Sequence, residues 1–97
     1  MEHNTIIELE HNLEERCVAK VERMGGEAVK LQILGKRGWP DRTVLLPCGR
    51  VFFVEFKRKK RGRVSAQQAM WIKVLSRLGF AVYIIDNDKD FDIALKS

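Results

Sequence analysis

The stretch Val51-Phe52-Phe53-Val54-Glu55-Phe56-Lys57 decides the fold. Its first four residues are apolar, and such a continuous run predicts a strand that is covered on both faces. Glu55 continues the run, although burying a carboxylate costs free energy unless a partner compensates its charge. Glu55 and Lys57 are two residues apart, so their side chains point to the same face of the strand. The sequence therefore predicts a buried strand that ends in an acid and a base.

The flanking segments predict an α/β fold with the element order αβββαβ. The predicted elements are a helix from a capping box at Thr5 and Glu8 to Gly25-Gly26, strands at 28–34, 43–46, 51–56 and 80–85, and a helix from a second capping box at Ser65 and Gln68 to Leu78. Asp90 is expected to cap a short terminal helix. The second and third strands form an antiparallel hairpin, and the third and fourth are parallel neighbours joined by a right-handed crossover. We therefore expect a mixed four-stranded sheet flanked by helices.

Length and composition fit one small domain over residues 1–97. The chain has 97 residues, of which 45% are hydrophobic, which is enough for one modest core and argues against general disorder. No apolar run approaches the length of a membrane span, and the N-terminus lacks the basic and apolar blocks of a secretory signal. We therefore expect an intracellular protein. Cys17 and Cys48 lack two further ligands at zinc-site spacing, so neither a structural zinc nor a disulfide is expected.

The formal net charge of +5 and the pI near 9.5 favour an acidic partner, and nucleic acid is the commonest such partner. Six of the seven residues from Lys57 to Arg63 are basic. Such a density of like charge predicts a solvated loop, and this loop either contacts phosphates or contacts nothing.

Asp41 joins Glu55 and Lys57 in the predicted topology. A hairpin that turns at Pro47-Cys48-Gly49 returns residues near 41 to the side of residues near 55. Carboxylate oxygens suit Mg²⁺ or Mn²⁺, and the Phe56 carbonyl offers a further oxygen. Lys57 can orient or deprotonate a water and offset charge in a transition state. The alternative is that Glu55 and Lys57 form an ordinary exposed ion pair.

Five ordered segments resemble the VRR-NUC (virus-type replication-repair nuclease) family of the PD-(D/E)XK nuclease superfamily. Across residues 8–95 they are Gly25–Lys30, Gly38-Trp39-Pro40-Asp41-Arg42, Val51–Lys57, Ser65-Ala66-Gln67-Gln68-Ala69-Met70-Trp71 and Leu78–Tyr83. The resemblance implies a restriction-endonuclease-like fold and a Mg²⁺- or Mn²⁺-dependent endonuclease for branched or structured DNA. Stand-alone members are frequently phage-encoded and resemble homodimeric Holliday-junction resolvases, and fused members occur in DNA repair nucleases.

The resemblance also places three further residues. It assigns a metal-binding glutamate of the first helix to Glu14, whose direction lies about 70° from the centre of the apolar stripe at ~100° per residue. Glu10 lies nearer the stripe and is the reserve, and all these acids could instead be ordinary surface residues. Gln68 matches an active-site glutamine that would hold Lys57 or a phosphate, although it could simply cap its helix. Lys30 matches a family lysine and reads equally well as a surface lysine.

The predicted DNA-binding residues are the cations of two loops: Lys36, Arg37, Lys59, Lys60, Arg61 and Arg63. Two other classes of protein remain open. The first is a non-catalytic nucleic-acid-binding module with the same fold, which the paired carboxylates disfavour because they would repel phosphates without a cation between them. The second is a structural dimerisation protein, which the basic loop disfavours.

Overall fold

A computed structural model of the protein describes residues 5–57 and 64–97, with side chains described from residue 12 onward. The elements are α1 (Thr5–Arg23), β1 (Glu27–Val29), β2 (Arg42–Leu46), a 3-10 turn (Pro47–Gly49), β3 (Arg50–Phe56), α2 (Ala66–Arg77), β4 (Ala81–Ile85) and α3 (Asp88–Lys96). The sheet order is β1-β2-β3-β4, with the first two pairings antiparallel and the last parallel. The predicted mixed four-stranded α/β fold is confirmed.

The strand β3 lies inside the sheet and is buried on both faces. Phe52, Val54 and Phe56 enter the core that α1 and α3 also line. Phe53 points to the other face, where its ring packs edge-on against Trp39 and Phe80 at centroid distances of 5.5 and 5.6 Å. Because neighbouring residues of a strand alternate between faces, Glu55 shares the face of Phe53.

The helices follow their apolar spacing. Leu13, Cys17 and Val21 recur at every fourth position of α1 and are buried against the sheet. Ser65 caps α2, and both hydrogen bonds of its predicted capping box with Gln68 are present. The first predicted capping box, at Thr5 and Glu8, lies outside the described side chains.

Three details of the prediction were wrong. The first strand ends at Val29 instead of residue 34, because β2 begins at Arg42 and its register ends with the pair Val29 and Thr43. The cap of α3 is Asn87, whose side chain accepts a hydrogen bond from the Asp90 amide, so Asp90 lies inside the helix. The second helix was expected to run to Leu78, but it ends at Arg77, and Leu78 follows it as a cap residue that is 64% exposed.

No helix in the described ranges combines the length and apolar character that crossing a membrane requires.

Candidate active site

Glu55 is the centre of the candidate site. Its carboxylate is buried, with only 3% of the residue exposed, on the face of β3 that also carries Phe53. An ionised carboxylate in such surroundings is unfavourable unless hydrogen bonds or opposite charges stabilise it. The surroundings of Glu55 therefore determine what this position can do.

Asp41 immediately precedes β2 and lies beside Glu55. The β2–β3 register pairs Arg42 with Val54, so Asp41 lies opposite Glu55 one step further along the hairpin. The Phe56 amide donates a 2.8 Å hydrogen bond to Asp41 Oδ2, which fixes this carboxylate at the end of the sheet. In an extended strand the N–H and C=O of one residue point to the same side, so the Phe56 carbonyl also faces the side of β3 on which β2 lies.

Gln68 connects the acid and the base of the site. Its Nε2 donates a hydrogen bond to Glu55 Oε2, and its Oε1 accepts from Lys57 Nζ at 3.1 Å. The same Oε1 accepts from the Ser65 amide at 2.9 Å. Gln68 therefore caps α2 and contacts the site at the same time, and the two interpretations of the sequence are compatible.

Lys57 completes a group that we call the carboxylate cluster, formed by Asp41, Glu55, Lys57 and Gln68. Its Nζ lies 3.3 Å from Glu55 Oε2, and 17% of its side chain is exposed compared with 4% for Glu55. The ammonium group thus lies between a buried carboxylate and the solvent. This position lets it contact both Glu55 and a molecule that approaches from outside.

The two carboxyl groups hold their protons more tightly than usual. Burial raises the pKa of Glu55 from 4.5 to about 7, and the negative charge of Asp41 adds to this effect while Lys57 opposes it. Burial also raises the pKa of Asp41, against the stabilising Phe56 amide, and the nearby Glu14 raises it further. The single cation of the cluster therefore leaves its negative charge incompletely compensated.

A hard divalent cation fits this set of donors. Asp41, Glu55 and the Phe56 carbonyl offer only oxygen atoms, which Mg²⁺ and Mn²⁺ prefer. In the ranges that the structure describes, no group of three or more His, Cys, Asp or Glu side chains could hold a metal ion. A site with two carboxylates leaves positions for water and phosphate, as Mg²⁺ requires, and differs from a closed zinc site.

Glu14 lies near the cluster but is bound to another partner. Its charge reaches Asp41, whereas its Oε2 accepts a 2.7 Å hydrogen bond from Arg42 Nε. Arg42 Nη1 also donates to the Ala28 carbonyl at 2.9 Å and so joins α1, β1 and β2. Glu14 is half-buried and Glu15 is exposed, in agreement with the helix geometry, while Glu10 lies outside the described side chains. Metal binding by Glu14 stays a prediction.

The loop between β1 and β2 supports the first turn of α2. Gly38 has a φ of +92°, and a Cβ built on it would lie 2.5–2.7 Å from backbone atoms of Gln67 and Gln68. Next to it, the Trp39 ring packs against Trp71 of α2 at a centroid distance of 5.2 Å. Only glycine permits this close approach, so Gly38 helps to determine where Gln68 stands.

The remaining predicted residues divide between exposed loop positions and undescribed ones. Lys30 is exposed, and its charge lowers the pKa of Asp41. Lys36 and Arg37 are exposed, and Lys36 Nζ lies 5.5 Å from the centre of the Trp71 ring. The other predicted DNA-binding residues, Lys59, Lys60, Arg61 and Arg63, lie outside the described residues.

Sequence reasoning assigned no role to Arg42 or Gly38, although both belong to the quoted motif. The contact of Arg42 with Glu14 joins positions 28 residues apart, and no local spacing reveals it. The glycine before Trp39-Pro40 was a signal that could have been used, because a glycine in a loop often marks a close backbone approach.

Comparison with known proteins agrees with the fold. No protein-family model matches the chain. A protein of Acyrthosiphon pisum secondary endosymbiont phage 1, described as "Putative nuclease p44", is 35% identical over 78 residues, which cover 80% of this chain and 83% of the phage protein. A solved structure described as "VRR_NUC domain" superposes with a TM-score of 0.83 at 26% identity, covering 91% of this chain and 95% of that one. The chain belongs to the VRR-NUC family of nucleases.

Proposed function

We propose that the protein is a metal-dependent endodeoxyribonuclease that hydrolyses phosphodiester bonds in structured or branched DNA. The carboxylate cluster supports this proposal most directly. Asp41 and Glu55 are close and their negative charges are incompletely compensated, and Gln68 links Glu55 to Lys57. A site that only bound DNA would gain nothing from negative charge beside the phosphates, whereas a site that holds a cation requires it.

Mg²⁺ or Mn²⁺, when bound, would polarise the scissile phosphate and acidify a water. Asp41 and Glu55 would hold the ion, with the Phe56 carbonyl as a third donor and Glu14 within electrostatic reach. Lys57 would orient the attacking water and stabilise the negative charge that develops on the phosphoryl oxygens. The water oxygen would form a bond to phosphorus and release a proton to solvent, the bond to the leaving sugar oxygen would break, and that oxygen would take up a proton from solvent.

Gln68 would hold the side chains of Lys57 and Glu55 in their orientations during this reaction. Because its amide oxygen binds the Lys57 ammonium and its amide nitrogen binds Glu55, neither group can turn without breaking a hydrogen bond. Such pre-organisation lowers the barrier since no reorientation is needed when charge develops.

The substrate class and the assembly belong to the same proposal. The net charge of +5 and the cations Lys30, Lys36 and Arg37 in one loop would attract the DNA backbone, and the segment Lys59–Arg63 would add phosphate contacts. A homodimer would bring two sites to the two strands of a branched DNA. The protein would act inside a cell, where such DNA forms during replication and repair.

The test is cleavage of four-way junction, flap, nicked and linear duplex DNA with Mg²⁺, with Mn²⁺ and with a chelator. The proposal expects metal-dependent strand cleavage that is strongest on the branched substrates, and a dimer in sedimentation analysis. DNA binding without cleavage under every metal condition would contradict the nuclease and support the binding module. Equal cleavage of every DNA would contradict only the preference for branched DNA and would leave the nuclease activity supported.

A further inference from the structure

The loop between β1 and β2 carries an unusually exposed leucine. Leu34 is 98% exposed, and the next most exposed large apolar side chain among the described residues is Leu78 at 64%. A turn forms the tip, in which the Lys36 amide donates to the Ile33 carbonyl at 3.1 Å and Gly35 adopts a φ of +75°. No atom lies within 4 Å of a Cβ placed on Gly35. The turn therefore presents Leu34 to open solvent.

Both ends of this loop are fixed beside the carboxylate cluster. At the start, Lys30 is close enough to Asp41 for its charge to act on that carboxyl group. At the end, Gly38 lies against the backbone of Gln67 and Gln68. Leu34 is four residues from each of these two positions, so the reach of an extended chain keeps it within roughly 15 Å of them.

The charges around the tip match DNA, but its apolar side chain does not match a phosphate. Residues 28–40 contain Lys30, Lys36 and Arg37 and no acidic residue. These cations favour the DNA backbone. A leucine side chain can pack against the apolar face of a base, and apolar side chains of DNA-bending proteins insert between neighbouring bases. Insertion costs least where bases are already unpaired or poorly stacked.

We propose that Leu34 inserts between bases at the branch point of DNA and thereby directs the carboxylate cluster to a nearby phosphodiester. The inference rests on the proposed function and adds the element that selects branched over linear DNA. The three cations of the loop hold the flanking phosphates, and Leu34 enters the gap that an intact, stacked duplex does not offer.

The experiment compares Leu34→Ser with Leu78→Ser, the same change at another exposed leucine, and with Leu34→Met, which keeps an apolar tip. All three are made in the Glu55→Gln form so that DNA stays intact during the measurement. Binding is measured on a four-way junction carrying 2-aminopurine at its branch point and on a linear duplex of the same sequence. Cleavage of both DNAs by the corresponding variants with Glu55 present is measured in parallel.

Leu34→Ser is expected to weaken junction binding about tenfold, the scale of a partly buried leucine side chain, and linear binding less than about twofold. It should also lose the fluorescence increase that unstacking produces, whereas Leu34→Met and Leu78→Ser retain it. Equal junction binding by the two serine variants, or an equal loss on both DNAs, overturns the insertion even if the parent cuts junctions. A parent that neither binds nor cuts DNA overturns the proposed function, and the insertion with it.

Discussion

Two clusters in this protein combine carboxylates with basic side chains, and the pKa of a carboxyl group falls in one cluster and rises in the other. A surface ion cluster joins α1 to α3, where Arg16 Nη2 lies 2.8 Å from Asp88 Oδ2 and Lys20 Nζ lies 2.7 Å from Asp92 Oδ1. The hydrogen bond that Asp88 accepts from Arg16 lowers the pKa of Asp88. In the carboxylate cluster the pKa of both acids is raised, chiefly by burial.

The difference shows what separates a structural ion pair from a candidate catalytic site. In the surface ion cluster two cations face two anions, and 40% and 49% of the Asp88 and Asp92 side chains are exposed, so water and partners both stabilise the charges. In the carboxylate cluster two anions share one cation away from water. Such an arrangement is unfavourable for the isolated fold, and strongly perturbed acids of this kind concentrate at functional sites.

The largest expected effect is the loss of cleavage in Asp41→Asn and in Glu55→Gln. Each change removes a charge that would hold the metal, so strand cleavage should fall by roughly a thousandfold or more while the fold is retained. Rates are measured on a four-way junction, and circular dichroism monitors the fold. Asp92→Asn of the surface ion cluster is the matched control and should cut DNA at the parental rate. Near-parental rates in both Asp41→Asn and Glu55→Gln would mean that the carboxylate cluster is no more catalytic than the surface ion cluster.

Lys57→Ala should have the next largest effect. The ammonium group is not a metal ligand, and we expect it to act on the attacking water and the developing charge. Turnover should therefore fall by about a hundredfold to a thousandfold while Mn²⁺ binding stays close to that of the parent. Single-turnover cleavage at saturating metal measures this loss. If Lys57→Ala cut DNA at the parental rate, the lysine would be only a neighbour of Glu55.

Gly38→Ala should reduce turnover by about tenfold to a hundredfold, because the first turn of α2 must move and take Gln68 with it. Gly79→Ala is the matched control: its φ of +98° imposes a similar strain, but no atom lies within 4 Å of the new Cβ. Cleavage rates and thermal unfolding are measured for both. In a Gln68→Ala background, Gly38→Ala should reduce turnover only slightly further. Equal losses in the two alanine variants, or additive losses with Gln68→Ala, would contradict this role of Gly38.

The smallest expected effect is on stability in the surface ion cluster. Asp92→Asn removes one charge of the Lys20 pair, in which 49% of the aspartate side chain and 23% of the lysine side chain are exposed. Solvent screens such pairs, so the free energy of unfolding should fall by less than about 1 kcal/mol, and by still less at high salt. Urea unfolding at low and high salt measures the change. A loss of several kcal/mol would mean that this cluster is structurally as sensitive as a buried one.

The sequence predicted those features that depend on local pattern. The apolar run before Glu55 predicted the buried strand, and the spacing of Ser65 and Gln68 predicted the start of α2. The extent of β1 was not predictable in this way. Alternation continues to residue 34, but a strand also needs a partner, and the pairing of β1 with β2 ends at Val29 and Thr43, one residue short of Arg42, where β2 itself begins.

The site was predictable in part for the same reason. Asp41, Glu55 and Lys57 follow from one hairpin and one strand, so a short-range argument brought them together. Two other contacts depend on how separate elements pack: the hydrogen bond from Arg42 to Glu14 and the close approach of α2 to Gly38. Likewise, both Asn87 and Asp90 could cap a helix, and only the backbone geometry selects Asn87.

Metal binding by the carboxylate cluster is tested most directly by a calorimetric titration of Mn²⁺ into the parent at pH 8 and pH 6. Metal binding needs ionised carboxylates, and the pKa of Glu55 is about 7, so protons compete below that pH. Mn²⁺ should bind at pH 8 and bind about tenfold more weakly at pH 6, at one proton per ion. Binding should be severely weakened in Asp41→Asn and Glu55→Gln and should stay parental in Asp92→Asn. Unchanged Mn²⁺ binding in both Asp41→Asn and Glu55→Gln would contradict metal binding by the carboxylate cluster.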